Sequence, residues 1–186
     1  MPVIVSMLRG VNVAGHNKIK MEALRALYES LGLRNAQTYV ASGNVVFRTK
    51  AQSLTALAKR IEGAIERDFG FRPRVILRTT SELKHVVVRN PFRTRHSIEP
   101  NKLLVMFLES HPAAEALEQA LKIKADPEEM HIDGREVYIY FPNGMARPKL
   151  SWLTVEKKLK TAGTGRNWNS VIKLLEMAEK LESLET

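Results

Sequence analysis

The chain of 186 residues is 44% hydrophobic and 26% charged, a composition that is typical of soluble globular proteins and argues against disorder. It contains no cysteine, which excludes disulfides, thiolate nucleophiles and thiolate zinc sites and fits a cytoplasmic protein. With 29 lysines and arginines against 20 acidic residues, the formal net charge is +9, which favours phosphorylated small molecules, polyanions or acidic partners.

The first half of the chain alternates patterns that are typical of strands and helices. Short apolar runs rich in β-branched residues predict strands, and apolar residues spaced three and four apart predict helices. In chain order we predict a strand, a helix, two strands joined at Ser42-Gly43-Asn44, a helix and a strand: Pro2–Leu8, Met21–Leu31, the two parts of residues 37–49, Leu54–Phe69 and Arg74–Arg78. This β-α-β-β-α-β order is that of a split βαβ, or ferredoxin-like, unit.

The second half repeats this order as far as its second helix. Ser81 is predicted to cap a short helix before Pro91, and residues 91–101, which hold two prolines and few apolar side chains, are predicted to form a linker. The elements that follow are a strand, a helix, a hairpin around Asp133-Gly134 and two helices: Lys102–Leu108, a helix from Pro112 to Ile123, Met130–Ile132 with Glu136–Phe141, and residues 149–162 and 167–183.

We therefore expect an α+β protein of two tandem ferredoxin-like units with antiparallel-rich sheets and C-terminal helices. The first unit, with the short helix, covers residues 1–90, and the second covers residues 102–186. The second unit is expected to end in a helix instead of a fourth strand, and no residue-level repeat is visible between the halves.

The connection between the first strand and the first helix, residues 9–20, holds glycines, asparagines and bases but no acid. A strand–helix–strand crossover makes its two strands parallel, so both are expected to end at the same edge of the sheet. The free N–H groups and the positive dipole end of the helix start attract anions there. We predict a site for a small anionic or polar ligand, with these residues: Arg9, Gly10, Asn12, Lys18, Lys20, Tyr39, Ser42, Gly43 and Asn44.

A second polar group stands at the predicted start of the last helix. Arg166 is expected to reach an anion held by the first half of the chain. Asn167 is a helix N-cap candidate, and Trp168 is expected either to pack on the core or to give the site an apolar wall.

Other interpretations of the polar connection stay open. Gly10 and Gly15 have the spacing of a P-loop, but His16 follows where the motif requires Lys and then Ser or Thr, so nucleotide hydrolysis is not predicted. The glycines alternatively serve turns and the asparagines cap the helix. An enzyme using the same pocket is a further hypothesis, although Tyr39, His16 and Ser42 have no visible activating partner and no catalytic residue is assigned.

The remaining functional classes receive less support. The five histidines show neither HExxH nor close paired spacing, so we expect no metal site, and no cofactor is expected either. Net charge alone supports nucleic-acid binding, whereas an RNA-recognition platform needs aromatic residues on the first and third strands, and only Phe47 is present there. No apolar run approaches the roughly 18 residues of a membrane helix, and the oligomeric state is not readable.

Several stretches together resemble a mainly bacterial family, domain-of-unknown-function family 1697. They are LRGVNVAGHNKIKMEALRALYESLGL, TYVASGNVVF, the Asn90-Pro91-Phe92 step and TGRNWNSVIKLL, which span residues 8–175. The resemblance implies a tandem ferredoxin-like α+β fold and no particular reaction, with Ala14 and Ser170 replacing the family's usual Gly and Thr. Because its signature stretches fall on the predicted polar loops, the resemblance favours a functional site there.

Overall fold

The structure is a computed structural model that describes residues 1–184. Within this range the chain forms eight strands, six α-helices and a 3₁₀ turn at Pro100–Lys102. In chain order the elements are β1 (Val3–Leu8), α1 (Met21–Ser30), β2 (Arg34–Tyr39), β3 (Asn44–Arg48), α2 (Leu54–Phe69), β4 (Val75–Thr79), α3 (Thr80–Val88), β5 (Leu103–Leu108), α4 (Ala114–Leu121), β6 (Glu129–Asp133), β7 (Glu136–Tyr140), α5 (Trp152–Leu159), β8 (Gly163–Asn167) and α6 (Trp168–Ser183).

The chain divides into two compact units. The first unit comprises Met1–His85 together with the chain from Lys173 onward, and the second comprises Val86–Ile172. The sequence division differs from this one, because the segment 91–101 belongs to the second unit and most of α6 belongs to the first. No helix within residues 1–184 has the length and apolarity needed to cross a membrane.

Each unit contains one four-stranded antiparallel sheet, which confirms the α+β class. The strand order is β2-β3-β1-β4 in the first unit and β6-β7-β5-β8 in the second. Both β1 and β2 pair antiparallel with β3, so they run in the same direction without being neighbours and end at the same edge of the sheet. This arrangement places the β1–α1 connection beside the β2–β3 bend.

Helices α1 and α2 cover one face of the first sheet. Their apolar stripes, including Leu24 and Ile61, join alternate sheet residues such as Ile4 and Phe47 in one buried cluster. The ends of α2 are set locally, since the Ser53 hydroxyl accepts a hydrogen bond from the Ala56 N–H at 3.2 Å and Gly70 ends the helix at φ 78°. The predicted bounds of this helix are confirmed.

The second sheet has a fourth strand, so the expected ending in a helix alone is wrong. β8 pairs antiparallel with β5 along its whole length. Two glycines in five residues weaken a strand pattern, but the packing leaves little room for a side chain at either position. A Cβ on Gly163 would lie 3.0 Å from the Phe107 backbone oxygen, and one on Gly165 would lie 3.1 Å from a Leu104 methyl carbon.

The two sheets share hydrogen bonds at equivalent positions. In each unit the last N–H of the first strand donates a hydrogen bond to the hairpin turn. Backbone groups next to the strand ends form further hydrogen bonds between neighbouring strands. The equivalent bonds are Leu8 N to Gly43 O and Leu108 N to Arg135 O, Arg9 N to Arg74 O and Glu109 N to Ala162 O, and Thr49 N to Pro2 O and Phe141 N to Lys102 O. The two sheets therefore share one pattern of backbone bonds at their strand ends, although their sequences do not show it.

Side chains repeat as well. A glutamate of the second helix accepts the first N–H of the fourth strand in both units, from Val75 to Glu62 at 3.0 Å and from Gly163 to Glu156 at 2.6 Å. Each fourth strand then places a buried arginine opposite a valine of the first strand, and its last residue caps the following helix. These arginine–valine pairs are Arg78 with Val5 and Arg166 with Val105.

Helix α3 is capped by Thr79, whereas the sequence predicted Ser81. The Thr79 hydroxyl accepts the Glu82 N–H at 3.1 Å, and the Glu82 carboxylate accepts the Thr79 N–H at 2.8 Å, which is a capping box. We expect Thr79→Ala to lower the free energy of unfolding by about 1 kcal/mol. Ser81→Ala is the matched control and is expected to change it by less than about 0.5 kcal/mol. Urea unfolding followed by circular dichroism measures both, and equal effects would contradict the assignment.

Candidate functional site

The connection between β1 and α1, residues 9–20, is a compact loop with an unusual share of left-handed backbone. Its residues with positive φ are Gly10 (70°), Asn12 (55°), Ala14 (49°), Gly15 (80°) and Asn17 (50°). Val13 and His16 form an isolated antiparallel bridge around a tight turn, with His16 N donating to Val13 O at 2.9 Å. Asparagine and glycine tolerate this conformation better than other residues, which accounts for the composition of the loop.

Asn12 joins this loop to the β2–β3 bend. Its side-chain nitrogen donates to Ile19 O at 2.9 Å and to Ala41 O at 2.8 Å, and its side-chain oxygen accepts the Ile19 N–H at 2.9 Å. The two bends therefore lie side by side, as the topological argument predicts. Because both ends of the amide are engaged within the protein, Asn12 shapes the loop.

The β2–β3 bend is closed by its own polar residues. Asn44 is fully buried, and its side-chain nitrogen donates to Tyr39 O at 3.1 Å and to the Ser42 hydroxyl at 2.8 Å. Gly43 has φ 78°, and a Cβ there would lie 2.8 Å from the Leu8 Cβ. The side chain of Asn44 and the backbone of Gly43 thus hold the bend against the end of β1.

A pocket of about 510 Å³ opens on the β1–α1 loop, and its lining residues are Asn12, Gly15, Lys18, Ile19 and Lys20. Lys18 and Lys20 are exposed, and within residues 1–184 neither side chain makes an ion pair or a hydrogen bond. Lys20 is the N-cap of α1 and its side chain makes no capping bond, so the helix start carries no side-chain acceptor from this position. Two of the five residues that line the pocket are therefore positively charged.

Ile19 explains why the two lysines face outward. Ile19 is buried at 4% exposure and belongs to the core of the first unit, with Lys18 and Lys20 on either side of it. In extended backbone, which Lys20 adopts at φ −69° and ψ 135°, neighbouring side chains point to opposite sides. Gly15 and Ile19 were not among the predicted site residues, and the Lys-Ile-Lys alternation is the signal that identifies Ile19.

The net charge of the protein is concentrated in its first 85 residues. Residues 1–85 contain fourteen lysines and arginines against six aspartates and glutamates, a formal charge of +8. Arg9, the other base predicted for the site, is half-buried, and its backbone N–H donates to Arg74 O at 2.9 Å. Glu22 is the acidic residue in the first turn of α1. The surroundings of the pocket thus favour anions over cations.

The second predicted group, Arg166 to Trp168, lies in the second unit. Arg166 lies in β8 directly before the cap of α6 and is 7% exposed, and its guanidinium donates to Thr164 Oγ1 and Gly165 O, both at 2.8 Å. Burial lowers the pKa of Arg166 to about 10, which leaves it charged at neutral pH. Asn167 caps α6 by accepting the Ser170 N–H at 2.9 Å, as predicted, and Trp168 is half-buried.

The charged and polar groups of the pocket suit binding better than metal coordination. Among residues 1–184 no group of three or more histidines, aspartates and glutamates is arranged to hold a metal ion. Lysine ammonium groups bind phosphate and carboxylate as point charges, without the paired geometry that arginine supplies.

Comparison with known proteins identifies the family and the fold. The sequence model of the family described as "Protein of unknown function (DUF1697)" matches residues 1–138, which confirms the resemblance and leaves the TGRNWNSVIKLL stretch beyond the matched part. A conserved bacterial protein from Streptococcus pneumoniae has a similar structure, with a TM-score of 0.70 and 19% sequence identity over 95% of this chain and 98% of that one. No curated protein matches the sequence.

Proposed function

The chain belongs to the DUF1697 family of proteins of unknown function, and we propose that it binds a small anionic ligand in the pocket of its β1–α1 loop. Lys18 and Lys20 supply the charge, and the start of α1 adds the positive end of a helix dipole. The volume of about 510 Å³ lies within the range of small-molecule sites.

The second unit supports this proposal because it provides the same scaffold without the loop. The connection that follows β1 runs from Arg9 to Lys20, whereas the equivalent one after β5 runs only from Glu109 to Ala113. The second sheet thus forms without the extra residues, so strand pairing alone does not require a connection of this length. Binding residues concentrate on loops that a rigid scaffold positions.

We also propose that both units are ferredoxin-like. Each has the element order β-α-β-β-α-β, and each sheet places its first strand between its third and fourth. This architecture determines at which strand ends the loops emerge, but it does not indicate a particular reaction.

Removing the two lysines tests the proposed function. We expect Lys18→Ala and Lys20→Ala each to weaken binding of inorganic phosphate or a phosphorylated metabolite by about fivefold, and the double variant by about twentyfold, since each exposed charge contact contributes about 1 kcal/mol. A thermal-shift screen of phosphates, nucleotides and carboxylates followed by titration calorimetry measures this.

Lys59→Ala is the matched control for this experiment, because Lys59 is an exposed lysine of α2 that does not line the pocket. The control variant is expected to keep wild-type affinity. Equal losses of affinity in all three single variants would show that net charge alone accounts for the effect. Unchanged affinity in the double variant would contradict the proposed pocket.

The charge of residues 1–85 favours nucleic acid as a second candidate ligand. The formal charge of +8 on residues 1–85 would attract a phosphate backbone at low salt. A short oligonucleotide in the same screen separates the two functions. Affinity that falls steeply with salt and is insensitive to Lys18 and Lys20 would favour the nucleic-acid function, and absence of binding at low salt would exclude it.

A further inference from the structure

The residues that follow α3 form a strap, defined here as Arg89–Arg95, that lies across one face of β6. The Arg89 guanidinium binds the Asp133 carboxylate at 2.5 and 3.2 Å, and Arg95 binds the Glu129 carboxylate at 2.7 and 2.8 Å. Between them, the Phe92 ring meets the His131 ring edge to face, with 5.1 Å between centroids. The strap thus contacts β6 through every third of its own residues.

The three contacts lie on the same face of β6. The side chains of Glu129, His131 and Asp133 project from the same face because alternate residues of a strand do so. The order of contacts is antiparallel, since the strap starts at the end of β6 and finishes at its beginning. The segment that the sequence predicted as a linker is therefore fixed to the second sheet.

The attachment depends on side chains alone. Within the described residues, the backbone hydrogen bonds of the strap are local turns, such as Arg93 N to Asn90 O at 3.2 Å and Arg95 N to Phe92 O at 2.9 Å. Phe92 is 4% exposed, whereas the side chains of the Arg89–Asp133 pair are 66% and 39% exposed. The buried Phe92 ring is thus flanked by two solvent-exposed ion pairs, whose attraction dissolved salt screens.

An aromatic surface lies under the strap. Tyr140 of β7 packs at 6.0 Å between centroids from Phe92, and the Arg95 guanidinium stands 5.1 Å above the Tyr140 ring. Tyr140 is half-buried, so lifting the strap uncovers more of its ring and leaves two carboxylates, Glu129 and Asp133, without their arginines.

We propose that the strap is a salt-sensitive latch, which opens from β6 as a unit without global unfolding and uncovers an acidic surface around Tyr140. Surface ion pairs weaken as the screening length falls from about 10 Å at 0.1 M salt to about 3 Å at 1 M. Each ion pair is expected to raise the equilibrium constant for closing the latch by up to about fivefold. Segments attached by few buried contacts open more readily than sheet cores.

Native-state hydrogen exchange read by mass spectrometry tests the latch in the full chain. In Asp133→Asn and in Glu129→Gln, which keep side-chain shape, we expect exchange of the bonded Phe92, Arg93 and Arg95 amides to accelerate about threefold to fivefold, and more than tenfold in the double variant. Amides of β7 are expected to keep wild-type rates. Raising salt from 0.1 to 1 M is expected to accelerate the strap in the wild type and to have little effect in the double variant.

Asp68→Asn is the matched control, since it removes an equally exposed pair with Arg67 at 2.6 Å on α2. It is expected to leave strap exchange unchanged. Strap amides that exchange at the rate of β7 amides under every condition would overturn the latch, because opening would then be global. Strap exchange that is faster than that of β7 but insensitive to both variants and to salt would overturn its electrostatic basis.

Discussion

Gly43→Ala is expected to lower the free energy of unfolding by about 3 kcal/mol, the largest effect we predict for one substitution in this protein. Gly43 adopts φ 78°, and the added Cβ would lie 2.8 Å from the Leu8 Cβ and 3.3 Å from the Val11 Cβ. Leu8 is completely buried in β1 and Val11 nearly so, so neither atom has room to move away. Left-handed backbone and overpacking both contribute to the loss.

A matched control separates these two contributions. Gly70 has the same φ of 78°, but a Cβ there would meet nothing within 4 Å. Gly70→Ala is therefore expected to lower the free energy of unfolding only through the strain of left-handed backbone, by about 1 kcal/mol. Urea denaturation monitored by circular dichroism gives both values, and an equal loss in the two variants would show that the close approach of the bend to β1 is not sterically tight.

Asn12→Ala is expected to lower the free energy of unfolding by about 2 kcal/mol, because it removes three hydrogen bonds and leaves backbone groups of Ile19 and Ala41 without their partner. It should also loosen the pocket, since Asn12 holds the β1–α1 loop to the β2–β3 bend. We therefore expect anion affinity to fall as well, by about tenfold.

Asn17→Ala is the control for this substitution. Asn17 has φ 50°, close to the 55° of Asn12, but its side chain makes a single exposed bond to Gly10 O at 3.1 Å. The backbone effect is thus the same in both variants, and the expected loss for Asn17→Ala is about 1 kcal/mol. Urea unfolding and phosphate titration of both variants check the comparison. Equal stabilities and affinities in the two variants would contradict the proposal that Asn12 connects the two bends.

Elements with local signals were predictable from the sequence. Helix α2 carries an apolar stripe, a capping Ser53 and a terminating Gly70, and its predicted bounds are those observed. The hairpin at Asp133-Gly134 joins β6 to β7 as expected. In these cases the information lies within a few residues of the element that it determines.

Elements that depend on distant partners were not predictable. The glycines of β8 pack closely against Leu104 and Phe107 of β5, some sixty residues earlier, and no local pattern records that contact. The same limit applies to the site. The sequence identified Asn12 and Arg166 as polar groups at promising positions, but not that their hydrogen bonds are made inside the protein. It did identify Lys18 and Lys20, which line the pocket.

The repeated bonds of the two sheets also bear on the origin of the protein. Fusion of two gene copies is expected to leave the shared backbone pattern intact while side chains and connections diverge. Shortening the Arg9–Lys20 segment to the length of Glu109–Ala113 would make the two units alike in this connection and would remove Val11 and Ile19 from the core. Any activity that such a shortened protein lacks while it remains folded would depend on the longer connection, which only the first unit carries.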